Sequence, residues 1–149
     1  MKQDLLIFNL GTRERFAVAV SKTREIIPLG HLNKLPGSHP LVLGVAKVRD
    51  RIIPIIDTQG ILFSRPLADR PKMAIVLDLE SPVALAVAEV SHVHKFDDLI
   101  HTHSEGKGCY VETVIQDDGG LIQKIVVESL ILSITKAEID ADTYQRPAA

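Results

Sequence analysis

Paired short apolar runs, each pair separated by a brief polar turn, constrain the fold of this chain more than any other feature. Three such pairs are visible: 43–48 with 52–57, 73–79 with 83–88, and 110–115 with 121–127. Runs of this length, rich in Val and Ile and interrupted by Asp, Gly, Ser or Pro, are typical of β-hairpins. A further hairpin is predicted from residues 5–10 and 16–20. The chain is therefore expected to be mainly β, with short helices near residues 58–63 and near the C-terminus.

The length of the chain indicates one domain. A chain of 149 residues buries enough surface for a stable core without disulfides or metals. We place the domain at residues 1–138, with an approximate internal divide near the proline-bounded stretch 64–71 and a frayed tail at 139–149. Pro54 cannot donate a hydrogen bond to a ladder, so its strand is expected at a sheet edge or at a bulge.

Two segments resemble each other. Residues 16–20 and 83–87 both alternate larger and smaller apolar side chains, and an apolar residue, Ile26 or Val93, follows six positions later. Two similar β units of about 65 residues would explain this pattern. Chance similarity between two alternating strands remains the other explanation.

Charge and cysteine content exclude some functions and favour a compartment. The formal net charge is −2 with both signs interspersed, so a basic face for nucleic acid is not expected. Cys109 is the only cysteine, which rules out an intrachain disulfide and favours a reducing compartment. The apolar stretch at the N-terminus is too short for a signal peptide or a membrane span. A soluble, cytoplasmic protein without direct membrane insertion is expected.

Sequence motifs for catalysis are missing. The chain has no nucleophile elbow and no glycine-rich phosphate loop, so no catalytic residue and no cofactor is predicted. Two histidine pairs, His92 with His94 and His101 with His103, place two imidazoles on one face of a strand. A metal site needs a third ligand, for which Asp97, Asp98 and Glu105 are the neighbours; incidental surface histidines are the other interpretation, and no metal site is predicted.

The hairpin at residues 43–57 resembles the signature of the CheW-like family. That signature begins with Gly-Val or Gly-Ile, passes through Asn-Leu-Arg-Gly, and returns through an apolar-Pro-apolar-apolar-Asp strand. Six positions match it in order and spacing: Gly44, Val45, Val48, Arg49, Pro54 and Asp57. Three positions depart from the usual family residues, with Lys47 for Asn, Asp50 for Gly and Glu89 for Asp. The resemblance extends over roughly residues 4–134.

The resemblance implies a fold and a function. The fold is a pair of five-stranded SH3-like β-barrels within one domain. The function is that of a non-catalytic signalling adaptor, which couples the cytoplasmic tips of chemoreceptors to the CheW-like regulatory domain of a CheA-type histidine kinase, in arrays that include polar clusters. Match to the family's receptor-contact region places five residues near a groove between the barrels: Thr23, Glu25, Ile27, Val45 and Arg49.

Alternative functions remain open at this stage. The departures at Lys47 and Asp50 leave room for a divergent CheW-like scaffold that serves pilus-driven surface motility or polar localisation. Arg49 has a plainer interpretation as an arginine that only keeps the turn soluble. A small enzyme or ligand-binding barrel that uses the histidine pairs is the alternative from a different class.

Overall fold

The strands are short and follow one another closely along the chain. A computed structural model describes residues 2–64, 71–97, 102–103, 110–132 and 134. Its strands are β1 (Lys2–Asn9), β2 (Arg15–Ala19), β3 (Thr23–Pro28), β4 (Val42–Val48), β5 (Arg51–Asp57), β6 (Met73–Leu77), β7 (Ala84–Val87), β8 (Glu89–Asp97), β9 (Thr102–His103), β10 (Val111–Asp117) and β11 (Gly120–Ile125). A 3-10 turn (Val20–Lys22) and helix α1 (Thr58–Phe63) complete the named elements, and residues 127–132 and 134 are helical (α2).

The described strands form two sheets. The first sheet has the order β8-β1-β2-β11-β10-β9, and the second sheet has the order β3-β6-β7-β5-β4. The chain passes from the first sheet to the second at residues 20–22 and returns at residue 88. The predicted divide at 64–71 is not a boundary between the sheets, because its flanking strands β5 and β6 both belong to the second sheet.

The two sheets are built to the same plan. In each, an antiparallel pair (β1–β2 or β6–β7) is joined through a parallel pairing (β2–β11 or β7–β5) to a hairpin (β10–β11 or β4–β5). The hairpins even share a register shift, between Val111 and Thr113 in one and between Val42 and Gly44 in the other. The similar segments 16–20 and 83–87 therefore occupy equivalent strands, β2 and β7. The two units are not consecutive halves, because both ends of the chain contribute to the first sheet.

Most central strands are buried on both faces. On β7, Ala84 and Ala86 point into the second sheet's own core, whereas Leu85 and Val87 point into a core shared by the two sheets. The same alternation separates Ala17 from its neighbours Phe16 and Val18 on β2. On these two strands the alanines face the core of their own sheet, and the larger side chains face the space between the sheets. We call the latter the shared core; α1 and α2 also contribute to it.

A backbone bridge brings the two outer strands of the second sheet together. The chain leaves β3 at Pro28, and five residues later Asn33 pairs with Val45 of β4, through N–H···O bonds of 3.1 and 2.8 Å. A Cβ atom at Gly44 would lie 2.8 Å from the Asn33 carbonyl oxygen, closer than non-bonded carbon and oxygen atoms pack. Gly44 therefore permits the approach that curves this sheet.

Chain length imposes a similar curvature on the first sheet. Its outer strands are β8 and β9, and only residues 98–101 separate them. Five Cα–Cα steps span at most about 18 Å, whereas the outer strands of a flat six-stranded sheet lie about 24 Å apart. The sheet must therefore bend until its outer strands approach. The prediction of a mainly β protein with two SH3-like subdomains is confirmed. The first sheet has six described strands where five were predicted, because β9 adds a two-residue edge, and the described ladders do not close into the predicted barrels.

The bridge also explains how Pro54 sits in an inner strand. β5 lies between β4 and β7, so of the two expected settings the edge position is wrong. The β4–β5 ladder does have an irregularity nearby, between Val42 and Gly44. Val45 is the partner of Pro54 on β4. Its N–H and carbonyl both point to Asn33 and away from β5, so the pair needs no hydrogen bond from residue 54. On the other side, the parallel ladder with β7 begins only at Ile55. The missing N–H of Pro54 therefore costs no ladder bond.

Asp57 ends this hairpin and begins α1. Its carboxylate oxygen accepts a hydrogen bond from the Gly60 N–H at 2.9 Å, as an N-cap residue does. Burial raises the pKa of the Asp57 carboxyl group, and the Gly60 N–H opposes that shift. The family-signature aspartate is thus a structural cap in this chain.

Substituting Gly44 tests the role of the close approach. We expect Gly44→Ala to lower the free energy of unfolding by about 1–3 kcal/mol, because the new methyl group collides with the Asn33 carbonyl. Gly30→Ala is the matched control, since its Cβ meets nothing within 4 Å. Chemical denaturation of the three proteins measures the difference, and equal stability of both variants would contradict the proposed collision.

Asp57 variants test the cap and its charge separately. Because its pKa is raised in the folded state, ionisation of Asp57 costs stability as pH rises through that pKa. Asp57→Asn keeps an acceptor oxygen without this cost, so at neutral pH it should be at least as stable as the natural chain. Asp57→Ala loses the cap and about 1 kcal/mol. Thermal unfolding between pH 4 and pH 7 checks both; an Asn variant as unstable as the Ala variant is the contrary result.

Candidate protein-interaction surface

The interaction residues suggested by the sequence lie on three neighbouring segments of the second sheet. Thr23, Glu25 and Ile27 alternate along β3 and are half-buried. Val45 lies on β4, and Arg49 is in the two-residue turn between β4 and β5, where Val48 pairs with Arg51. The predicted strands, 43–48 and 52–57, left Arg51 in the turn, but Arg51 is the first residue of β5.

The structure joins two of these residues directly. Arg49 Nε donates to Glu25 Oε2 at 2.9 Å, across the seam where β3 approaches the β4–β5 turn. The Glu25 side chain is only 24% exposed, whereas the Arg49 side chain is 80% exposed. The hydrogen bond to Glu25 raises the pKa of the Arg49 guanidinium group. Glu25 therefore fixes the direction of a cation that stands almost entirely in solvent.

The other three residues have structural contacts of their own. The Thr23 hydroxyl donates to the Val20 carbonyl at 2.8 Å and closes the 3-10 turn. Ile27 packs against the core of the second sheet. Val45 is held by the bridge to Asn33. These residues support the surface around Arg49, and Gly44, Pro54 and Asp57 support the hairpin beneath it.

The two unusual hairpin residues are both exposed. Lys47 faces solvent on β4 opposite Ile52, whose side chain is 73% exposed. Asp50 follows Arg49 in the turn and is likewise exposed. The departures from the family pattern therefore change the surface chemistry and leave the packing unaltered.

Residues of the opposite face of β3 were not singled out by the sequence. Ile26 is 39% exposed and pairs with Ile75, which is buried in the shared core. Arg24 beside it donates to Asp78 at 2.9 Å. The period of two along β3 was the available signal, since it separates 24, 26 and 28 from 23, 25 and 27. Ile26 gives this face an apolar surface at the edge of the shared core.

A charged cleft lies at the boundary of the first sheet, α2 and the 3-10 turn. Its volume is about 800 Å³. Lys124 donates to Gln3 at 2.8 Å and pairs with Glu112 at 3.1 Å, while Lys22 pairs with Glu128 at 2.7 Å. The lining residues are Gln3, Asp4, Ala19, Val20, Ser21, Lys22, Glu112, Lys124, Val126 and Glu128. Both lysines of the cleft are already paired with a carboxylate.

The histidines give no metal centre within the described part of the chain. There, no group of three or more His, Cys, Asp or Glu side chains is arranged to hold a metal ion. His92 and His94 are exposed on β8 with ring centroids 5.6 Å apart, and His94 lies 4.5 Å from the Phe96 ring. The side chains of Asp97 and His103, and all of Asp98, His101, Glu105 and Cys109, fall outside the described residues.

Within the described segments, neither α1 nor α2 is long and apolar enough to cross a membrane.

Comparison with known proteins gives three concordant results. The model of the CheW-like domain family matches residues 4–134. Protein PilI of Pseudomonas aeruginosa is 32% identical over 100 residues, which are 66% of this chain and 54% of that protein, so the match spans about half of the relative's length. The crystal structure of scaffolding protein TtCheW from Thermoanaerobacter tengcongensis superposes with a TM-score of 0.75 at 20% identity, covering 85% of this chain and 90% of that one.

The structural match supports the fold, and the family match extends over nearly all of the chain, including the Gly44–Asp57 hairpin. Members of this family are non-catalytic scaffolds and adaptors. Because the family model matches residues 4–134, this chain belongs to the CheW-like domain family.

Proposed function

We propose that this protein is an adaptor that couples the cytoplasmic tips of chemoreceptors to the CheW-like regulatory domain of a CheA-type histidine kinase. Membership of a scaffold family supports the general role. The observation that supports a partner site on this chain is Arg49, which is 80% exposed and held in place by Glu25. An exposed cation with a fixed direction suits a carboxylate on a partner, because little side-chain freedom is lost on binding.

The surface near Arg49 also offers apolar area. Ile52, three residues after Arg49 on β5, has a side chain that is 73% exposed. An amphipathic helix, such as one in a receptor tip, presents apolar and acidic side chains at helical spacing and suits such a surface. Thr23, Ile27 and Val45 are proposed to support it from beneath. The proposed location is the cytoplasm, at clusters of receptors.

A second candidate function keeps the fold and changes the partners. The match to Protein PilI, together with Lys47 and Asp50 on the exposed hairpin, favours a scaffold in a pilus-type signalling system. In that case the same Arg49 surface would select a different receptor and kinase. The two candidates differ in which partner pair binds, and both predict that Arg49 is needed.

Charge reversal at Arg49 tests the proposed surface. We expect Arg49→Glu to weaken binding of a receptor-tip fragment about tenfold, because a carboxylate then meets the carboxylate of the partner. Arg51→Glu is the matched control, since it changes an exposed charge two residues away that has no carboxylate partner among the described residues. Co-sedimentation with receptor fragments and the kinase regulatory domain, from both a chemotaxis and a pilus-type system, measures binding.

The outcomes of this experiment separate the possibilities. Equal loss in the Arg49 and Arg51 variants would indicate a general charge effect and contradict the proposed site. Arg49→Gly serves as a stability control: Arg49 has a φ of 56°, a conformation that costs a non-glycine residue about 1–2 kcal/mol. The glycine variant should remain folded and still lose receptor binding. Retention of binding in both Arg49 variants would overturn the proposal.

A further inference from the structure

The common plan of the two sheets allows their helices to be compared position by position. α1 follows β5 and α2 follows β11, and β5 and β11 are equivalent strands. The residue before each helix makes the same backbone bond: Asp57 N–H donates to the Leu41 carbonyl, and Val126 N–H donates to the Tyr110 carbonyl, both at 2.8 Å. Val126 therefore stands where Asp57 stands, and Ser129 stands where Gly60 stands.

The two helices begin in chemically different ways. Asp57 caps α1 with a side-chain oxygen, and the cap requires a glycine at position 60, because a Cβ there would lie 2.7 Å from Asp57 Oδ2. Val126 has no polar side chain with which to cap α2. The Ser129 N–H instead donates to the Val126 backbone carbonyl at 3.1 Å. A missing N-cap costs a helix about 1 kcal/mol of stability.

Two other contacts hold α2 in place. Val127, Leu130 and Ile134 are buried in the shared core. In addition, Glu128 Oε1 accepts from Lys22 Nζ at 2.7 Å, with the two side chains 56% and 48% exposed. Lys22 belongs to the 3-10 turn between the sheets, and its carbonyl accepts the Asp78 N–H at 2.8 Å. Glu128 is therefore tied to a part of the backbone that the second sheet fixes.

From this comparison we infer that α2 is a detachable cover of the shared core, held closed by the Lys22–Glu128 ion pair in place of a helix cap. α1 is capped by Asp57, the residue directly before it, so its N-terminus is held by a contact within the same segment. α2 depends on an exposed ion pair, whose strength falls as salt screens it. Ionic strength therefore controls how often α2 opens, and opening withdraws Leu130 and Ile134 and exposes apolar surface of the shared core.

Amide hydrogen exchange of the intact chain tests this inference. We expect the amides of residues 127–132 to exchange faster than those of residues 58–63 at low salt. Raising the salt from about 0.05 to about 0.5 M should speed exchange in 127–132 by about two- to five-fold and leave 58–63 unchanged, because only α2 depends on a screened pair.

Three variants isolate the ion pair and the cap. Lys22→Gln should speed exchange in α2 by the same factor at low salt and reduce its salt dependence, with a smaller remainder from Lys124, whose charge also acts on Glu128. Lys34→Gln, in an exposed loop, should change neither. The double variant Val126→Asp with Ser129→Gly installs the cap of α1 and should slow exchange in α2 about fivefold. Exchange of α2 at the rate of the central strands, or a salt response in Lys22→Gln as large as that of the natural chain, would overturn the inference.

Discussion

The backbone pair between Asn33 and Val45 is the interaction on which the second sheet depends. Two hydrogen bonds there connect the chain beyond β3 to β4, the strand at the other end of the sheet. The pair forms only because Gly44 has no side chain to keep the Asn33 carbonyl away. Val45 turns its N–H and carbonyl toward Asn33 and away from Pro54, so the missing N–H of Pro54 costs no bond to β4. This arrangement requires Gly44 and is compatible with Pro54.

The curvature that this contact maintains places the candidate interaction surface. It brings β3 to the β4–β5 turn, so that Glu25 reaches Arg49 across the seam. Without it, an acid on one outer strand and a base beyond the other would be separated by the width of the sheet. The position of the exposed arginine therefore depends on the curvature of the sheet, which the close approach at Gly44 permits.

Much of the fold was predictable from the sequence because the signals are local. The hairpins at 43–57, 73–88 and 110–127 consist of short apolar runs separated by recognisable polar turns, and α1 was expected at its observed position. The assembly of the strands was not, since the pairing of β1 with β8 and the parallel pairing of β2 with β11 join distant segments. The Arg49–Glu25 hydrogen bond could not be predicted from the spacing of the two residues or from their strand propensity, because it joins β3 to the β4–β5 turn through the tertiary fold. Likewise, a period-two pattern does not reveal that Ile26 is exposed while its partner on β6, Ile75, is buried.

The split origin of the first sheet imposes an order on its assembly. All strands of the second sheet lie between residues 23 and 87 and are complete once that segment has left the ribosome. The β1–β2 hairpin is made earlier, yet its outer partners β8 and β11 lie at residues 89–97 and 120–125. Until then, its buried faces, with Leu5, Ile7 and Phe8, have no sheet to pack in. The N-terminal hairpin is therefore the part of this protein whose apolar side chains stay exposed longest during synthesis, and the part that we expect nascent-chain chaperones to bind.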